Sequence, residues 1–170
     1  MSNTRIRPAT VEDAPVLAAA QREITKIPGR LASLPHEIND DAFRAKIAAL
    51  ADGETGRFVV IESNGDIVGH ALLEPFKLEV TAHVADLTIA VHEGHQGKGF
   101  GTALMTHLIE WARSNPKLEK ITLHVRSSNR GAIALYERLG FVVEGVRVKF
   151  IKLGPDAYLD NVAMALWVGP

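Results

Sequence analysis

Apolar side chains recur along this chain with two different spacings, and the spacing predicts the type of each element. Short apolar runs rich in β-branched residues predict strands, whereas apolar positions three and four residues apart predict helices. The helical spacing is clearest where Leu104, Leu108 and Trp111 share one stripe that Met105 and Ile109 widen. The pattern as a whole predicts the order β-α-α-β-β-β-α-β-α-β-β, without an internal repeat or a linker.

The predicted strands and helices alternate with clear turn signals. Asn64-Gly65 between two strands is a strong hairpin signal, and the prolines and the glycine of residues 27–35 break any period. A helix is expected after Thr10, which can cap it, and another after the glycines near residue 100. The remaining helices are predicted over residues 41–51 and 130–139, and the strands over residues 5–7, 58–62, 67–73, 84–91, 121–125, 141–151 and 162–167. This order predicts a mixed α/β sheet in a single domain covering residues 1–170.

Composition excludes several classes of function. The formal net charge of the 170 residues is −1, which gives no reason to expect nucleic acid or an anionic membrane as a partner. No apolar run is long enough to span a membrane, and no apolar segment follows the first five residues as it would in a signal peptide. The chain has no cysteine, so disulfides, thiolate metal sites and a cysteine nucleophile are excluded. We therefore expect a cytoplasmic protein without a membrane or nucleic-acid partner.

The seven histidines raise the question of a metal site. His92 and His95 flank Gly94 in a predicted loop, where we expect both to be solvated. The zinc pattern H-E-x-x-H is absent, and the other histidines are scattered over different elements. The sequence therefore predicts no metal.

The segment Gln96–Thr102, with the sequence QGKGFGT, carries the strongest chemical signal. Its three glycines lie between a predicted strand and a predicted helix, where free N–H groups and the helix dipole favour a phosphate. A P-loop would require Lys where Phe100 stands, and a dinucleotide fingerprint would require Gly where Thr102 stands. The spacing that fits is Q-x-x-G-x-G, and a flexible turn without a ligand is the alternative.

A second motif lies on the predicted helix over residues 130–139. Asn129 can cap this helix, the small Ala132 allows close packing at its first turn, and Tyr136 lies about two turns beyond Asn129 on the same face. Gly140 and Phe141 follow the helix. Together with Gln96, Gly99 and Gly101, these residues resemble the motifs of the GCN5-related N-acetyltransferase (GNAT) family, and the resemblance covers nearly the whole chain.

The resemblance implies a fold and a donor. The fold would be a GNAT-like mixed β-sheet, splayed at its centre and flanked by helices. The donor would be acetyl-coenzyme A, a co-substrate that requires no metal. Its pantetheine arm would pair with the backbone of Ile89 and Val91, and Asn129 would offer its amide. The N–H groups of Gly97, Lys98, Gly99, Phe100, Gly101 and Thr102 would bind its pyrophosphate, with Lys98 as a further charged contact or as a solvated side chain.

The chemistry of acetyl transfer requires a proton donor, an oxyanion donor and a neutral amine. By resemblance, Tyr136 would protonate the coenzyme A sulfur, and a backbone N–H within residues 87–91 would bind the oxyanion. Asp86 is our candidate base, because it is the acid within an apolar strand and would face away from Ile89 and Val91. Glu74 and His83 are alternatives, and a purely structural role for Asp86 is equally open.

The acceptor is expected opposite the coenzyme, between residues 27–39 and residues 147–160. The segment 144–149 and the residues around Tyr158 resemble a subgroup that acetylates free amino acids or other small amines. Arg147, Lys149 and Lys152 are candidates to attract a substrate carboxylate. The alternatives are a protein N-terminus or lysine as the acceptor, and a non-catalytic module that senses acetyl-coenzyme A; a dinucleotide-binding protein is a more distant one. Family members are often dimers, so the resemblance also implies a homodimer.

Overall fold

The computed structural model describes residues 3–170 and contains the elements in the predicted order. Met1 and Ser2 lie outside these residues. They belong to the N-terminal segment in which the sequence predicts no signal peptide. None of the helices in the described chain has the length and apolar character that crossing a membrane requires. The strands are β1 (Thr4–Pro8), β2 (Arg57–Ser63), β3 (Asp66–Pro75), β4 (Val84–Val91), β5 (Lys120–Arg126), β6 (Val142–Gly154) and β7 (Ala157–Trp167). The helices are α1 (Ala14–Thr25), α2 (Asp40–Leu50), α3 (Phe100–Ser114) and α4 (Arg130–Arg138).

The strands form one seven-stranded sheet in the order β1-β2-β3-β4-β5-β7-β6. Neighbouring strands are antiparallel except for β4 and β5, which run parallel. The predicted hairpin between β2 and β3 turns at Asn64 and Gly65, whose φ angles of 54° and 94° are those of the expected tight turn. The mixed α/β prediction is therefore confirmed.

Two apolar clusters cover the two faces of the sheet. On one face, the stripe of α3 that includes Leu104 and Leu108 packs on strand residues such as Ile121 and Met164. On the other face, α1 and α2 contribute Leu17 and Ile47 to a cluster with Phe58, Val60 and Leu72. Burying apolar side chains on both faces fixes the sheet between two helical layers.

The sheet opens between β4 and β5. These strands pair only where Val84, Ala85 and Asp86 face Lys120, Ile121 and Thr122. Both strands continue beyond that point, β4 to Val91 and β5 to Arg126, but without ladder pairs between them. The predicted splay is confirmed, and it leaves backbone N–H and C=O groups on both sides of a gap at the carboxyl ends of the two strands.

The last two strands are longer than the apolar pattern predicts. β7 begins at Ala157 rather than near residue 162, and β6 continues to Gly154. The β6–β7 pairing shifts register in three places, and Lys149 adopts a φ of 54°. The Lys149 N–H donates to a carboxylate oxygen of Asp160 at 2.7 Å, which stabilises this irregular backbone. Such bulges interrupt the two-residue alternation on which strand prediction depends.

His92 is not a solvated loop residue, so that prediction was wrong. It is 6 % exposed, and its Nδ1 lies 3.1 Å from the carbonyl oxygen of Ile67. Since Nδ1 must donate to this carbonyl, Nε2 of the neutral ring accepts from Nδ1 of the fully buried His70 at 3.0 Å. Burial lowers the pKa of both rings, that of His70 to about 3. One residue beyond the end of β4 the chain is therefore still part of the core.

Candidate functional site

The glycine segment folds into a loop that presents backbone N–H groups to an open space. Gly97 and Gly99 have φ angles of 73° and 85°, and a Cβ atom on either would meet no atom within 4 Å. α3 begins directly afterwards at Phe100, so the N–H groups of its first turn have no partner within the helix. Gln96 donates from Nε2 to the carbonyl of Val91 at 3.3 Å, which ties the loop to the end of β4.

A cavity of about 940 Å³ lies in front of this loop. It extends along the open edge of β4 to the start of α4. Nine of the predicted coenzyme-binding residues line it: Ile89, Val91, Gln96, Gly97, Gly99, Gly101, Thr102, Asn129 and Tyr136. These donors and the free space in front of them suit a phosphate and an extended arm, so the residues present fit the coenzyme that the sequence predicts.

Lys98 and Phe100 are not among the residues that line this cavity in the described chain. The ammonium of Lys98 donates to the carbonyl of Gly94 at 3.1 Å. The ring of Phe100 lies 6.4 Å from the ring of His95 and packs against the core. A role for these two residues in binding the coenzyme therefore rests on their backbone N–H groups.

A second cavity, of about 420 Å³, lies on the other side of the gap. The residues between α1 and α2, from Arg30 to Asn39, form one wall, and the ends of β4 and β5 form the opposite wall. The two cavities have Arg30, Leu31, Ile89, Asn129 and Tyr136 in common. A ligand in one cavity can therefore meet a ligand in the other beside Tyr136.

Tyr136 is held rigidly at this junction. Its ring packs 6.0 Å from the ring of Phe141, and the residue is 8 % exposed. Burial raises the pKa of its hydroxyl to about 12, although the positive charge of Arg126 acts in the opposite direction. The hydroxyl therefore carries its proton at neutral pH. Asn129 accepts from the N–H of Ala132 at 3.3 Å, as expected for the cap of α4.

Asp86 lines the smaller cavity and faces His124 from the neighbouring strand. The carboxylate Oδ1 lies 3.9 Å from Nδ1 of His124 and has no hydrogen-bond partner among the described residues. Burial raises the pKa of Asp86, and the charge of His124 opposes this shift. Glu74 instead forms a half-exposed ion pair with Lys46 at 2.9 Å, and neither Glu74 nor His83 lines the smaller cavity in the described chain.

His124 and Arg126 are site residues that sequence reasoning did not find. Both side chains lie on the cavity face of β5, and Nη2 of Arg126 donates to the carbonyl of His124 at 2.6 Å. The available signal was the alternation His-Val-Arg at the end of a strand that directly precedes the Asn129 motif. The predicted cations Arg147, Lys149 and Lys152 line neither cavity in the described chain, and they lie near Phe150 and Tyr158 of the β6–β7 hairpin.

Comparison with known proteins agrees with this geometry. The model of the acetyltransferase (GNAT) family matches residues 23–141. The L-amino acid N-acetyltransferase AaaT of Escherichia coli is 33 % identical over 116 residues, which cover 68 % of this chain and 71 % of that protein. Spermidine N(1)-acetyltransferase of Vibrio cholerae is 32 % identical over 111 residues, covering 65 % of this chain and 63 % of that protein. This last match therefore spans less than two thirds of the relative.

The fold has equally clear relatives among solved structures. YncA, a putative acetyltransferase from Salmonella typhimurium with its cofactor acetyl-CoA, superposes with a TM-score of 0.88 at 24 % identity, covering 99 % of this chain and 96 % of that one. The chain belongs to the GNAT acetyltransferase family. The family is named for acetyl transfer.

Proposed function

We propose that this protein transfers the acetyl group of acetyl-coenzyme A to the primary amine of a free amino acid or another small amine, by direct attack within a ternary complex. The observation that carries the proposal is the position of Tyr136, which belongs both to the cavity in front of the glycine loop and to the cavity of Asp86 and His124. Donor and acceptor can thus be bound separately and still meet at one side chain.

The reaction needs two proton transfers, and the site offers a group for each. The amine nitrogen attacks the thioester carbon, a C–N bond forms, and the C–S bond breaks. The amine loses one proton, and the departing thiolate gains one. Tyr136 suits the second step, because its hydroxyl is protonated at neutral pH and borders both ligands. Beyond Asp86, β4 pairs with β3 but not with β5, so the N–H groups on its β5 side are available for the oxyanion.

We propose that Asp86 and His124 together take the proton of the amine. A carboxylate whose pKa is raised by burial is a stronger base than an exposed one, and its unpartnered Oδ1 is free to accept a hydrogen bond. His124, 3.9 Å away, can relay the proton or hold the carboxylate in place. Glu74 is a weaker candidate, because Lys46 already neutralises it.

A small acceptor suits the dimensions of the smaller cavity. Its volume of about 420 Å³ lies at the lower end of the range for small-molecule sites, about 300–1,000 Å³. Relatives named for amino-acid, spermidine and N-terminal acetylation all match this chain, so their names alone do not select the acceptor. A protein N-terminus or a lysine is the alternative substrate.

Thiol release from acetyl-coenzyme A, measured across free amino acids, polyamines, peptides with free N-termini and a lysine peptide, tests the proposal. We expect binding of acetyl-coenzyme A in a thermal-shift assay and the fastest thiol release with a free amino acid or small amine. Turnover restricted to peptides would favour the alternative substrate. Binding without turnover on any amine would indicate a sensor module instead of an enzyme.

We further propose that two copies associate through the β6–β7 hairpin. β6 is an edge strand, and eight large apolar side chains on the hairpin are between 41 % and 71 % exposed: Val142, Val143, Val146, Val148, Phe150, Leu153, Tyr158 and Trp167. Exposed apolar surface of this extent typically marks an association site, and the GNAT resemblance implies a second copy as the occupant. Sedimentation should show a dimer that Val148→Glu dissociates; a monomeric wild type would contradict the proposal.

A further inference from the structure

Arg126 stands out because the described chain offers its charge no acidic partner. It is half-buried at the end of β5 in the smaller cavity, and its Nε is buried without a hydrogen-bond partner among residues 3–170. Its only side-chain hydrogen bond in these residues runs from Nη2 to the carbonyl of His124. Removing a guanidinium from water without a counter-charge is unfavourable, so such a group is expected to meet an anion when the site is filled.

Asn161 lies directly beside Arg126. The two residues face each other across the β5–β7 ladder, and opposite side chains on one face of a sheet have their Cβ atoms about 5 Å apart. Asn161 is 5 % exposed, and its Oδ1 is also buried without a partner in the described chain. Nε of Arg126 and Oδ1 of Asn161 are thus two of the four buried side-chain atoms that lack a hydrogen-bond partner in the described chain, where most buried polar groups are paired.

The distance between Arg126 and the proposed base, Asp86 with His124, suits a small ligand that carries two functional groups. His124 and Arg126 lie two residues apart on one face of β5, which separates their Cβ atoms by about 7 Å. When the amine of a substrate points toward Asp86 and His124, a second group attached to the carbon that bears the amine is therefore within reach of the guanidinium of Arg126. An α-amino acid has its carboxylate at that position, and a guanidinium binds a carboxylate through two parallel N–H groups.

The fixed charges of the cavity favour the same ligand. Besides Arg126, its walls carry two cations, Arg30 and the Lys46 that is paired with Glu74, and two anions, Asp86 and Glu37. A polyamine would place several positive charges among these cations, whereas a zwitterion presents one charge of each sign. A peptide acceptor has an amide where the amino acid has its carboxylate, and would leave the guanidinium without an anion.

We propose that Arg126 binds the α-carboxylate of the acceptor, so that the substrate of this enzyme is a free α-amino acid. This inference rests on the proposed acetyltransferase function and narrows its acceptor class. Arg126 is the specificity-determining residue in this scheme, and the bond-making steps are those already described.

The test compares three acceptors that share a side chain: an L-amino acid, its α-amide and the corresponding decarboxylated amine. Thiol release with the wild-type protein should give a kcat/KM at least about 10-fold higher for the acid than for the amide, as a charged hydrogen bond predicts. This comparison needs no variant, so a folding defect cannot obscure it. Equal rates for acid and amide would overturn the proposal.

The variant Arg126→Gln should lower kcat/KM for the acid by roughly 10- to 100-fold, mainly through KM, and for the amide by less than about 3-fold. Arg126→Lys should retain part of the preference for the acid. Arg113 is an exposed arginine in the last turn of α3. Arg113→Gln is therefore the matched control, and it should leave kcat/KM unchanged for both the acid and the amide. An equal loss on acid and amide in Arg126→Gln would show that Arg126 acts only by positioning His124 or Tyr136.

Failure of the inference differs visibly from failure of the proposed function. If polyamines or peptides are acetylated faster than every amino acid, the protein is an acetyltransferase but Arg126 does not select a carboxylate. If no amine releases thiol from acetyl-coenzyme A, the proposed function itself is wrong and the inference falls with it.

Discussion

The two cavities that meet at Tyr136 are built in different ways. The larger one contains one local device, the glycine loop between β4 and α3, beside residues of β4, α4 and the end of α1 with the segment that follows it. The smaller one is lined by side chains from distant elements, including α2, β4, β5 and the residues between α1 and α2. Donor recognition is thus encoded locally, and acceptor recognition depends on the folded sheet.

This difference explains how one fold can keep a donor and change its acceptor. Backbone N–H groups do not depend on side-chain identity, provided that glycines permit the loop conformation. The groups that we propose to face the acceptor, Asp86, His124 and Arg126, are single side chains on β4 and β5 that can be replaced without altering the loop. Substitutions should therefore separate donor binding, chemistry and acceptor choice.

The largest effect is expected at the glycine loop. Gly99→Val places a branched side chain at a φ of 85° in front of the cavity, so the Kd of acetyl-coenzyme A should rise by at least about 100-fold. Gly65→Val is the matched control, because Gly65 has a φ of 94° and equally open surroundings but lies in the β2–β3 turn, which does not line the donor cavity in the described chain. Isothermal titration decides the matter: unchanged affinity in Gly99→Val would refute the loop assignment.

The next largest effect is expected at Tyr136, where the two cavities meet. Tyr136→Phe should lower kcat by roughly 10²-fold or more, because the departing thiolate loses its proton donor, while the Kd of acetyl-coenzyme A changes by less than about 2-fold. Tyr158→Phe removes the other tyrosine hydroxyl of the chain, on the exposed hairpin, and should leave both kcat and this Kd unchanged. Pre-steady-state thiol release separates chemistry from product dissociation, and a wild-type rate in Tyr136→Phe would exclude the acid role.

A smaller effect, visible as a pH shift, is expected on the acceptor side. A base must be deprotonated to act, so kcat/KM should fall as the pH drops through the pKa of Asp86. Asp86→Asn should cost roughly 10- to 100-fold and abolish that limb of the profile. His124→Gln removes a charge that lowers the pKa of Asp86, so its limb should move to higher pH.

Glu74→Gln provides the control for the pH profile. The charge of Glu74 raises the pKa of Asp86, so its removal should move the limb slightly to lower pH and leave the plateau rate intact. Loss of the plateau rate in Glu74→Gln, with normal turnover in Asp86→Asn, would transfer the base role to Glu74.

The smallest effect concerns the buried pair of His70 and His92. The folded protein keeps His70 neutral, with a pKa of about 3, whereas the unfolded chain binds a proton near pH 6.5. The free energy of unfolding should therefore be insensitive to His70 above pH 6.5. Below that pH, protonation of His70 alone should make it fall by about 1.4 kcal/mol per pH unit.

Urea unfolding between pH 7 and pH 4.5 measures this slope. His70→Leu should flatten it, even though the variant loses the hydrogen bond to His92. His107→Gln, an exposed histidine on α3, should keep the wild-type slope. Identical slopes for the wild type and His70→Leu would show that the buried pair is not what makes the protein sensitive to acid.

The sequence predicts local features well and long-range ones poorly. The loop at Gln96–Thr102 and the cap at Asn129 follow from short motifs, and the order of elements follows from apolar spacing. His124 and Arg126 have only the alternation His-Val-Arg as a local signal, and it does not reveal their neighbours Asp86 and Asn161, which come from strands 38 and 35 residues away. The solvated state predicted for His92 was wrong for the same reason, since its partners Ile67 and His70 belong to another strand.

The short pairing between β4 and β5 has a consequence for self-association. Unpaired strand edges normally invite other chains to add a strand, and proteins block or cover them. Here two such edges lie inside the molecule, between the starts of α3 and α4 on one side and the segment between α1 and α2 on the other. Because residues of helices and loops flank these edges, they are less open to a strand of another chain than the outer edge of β6. The sheet thus keeps hydrogen-bonding edges for a ligand at a place where covering elements limit strand addition.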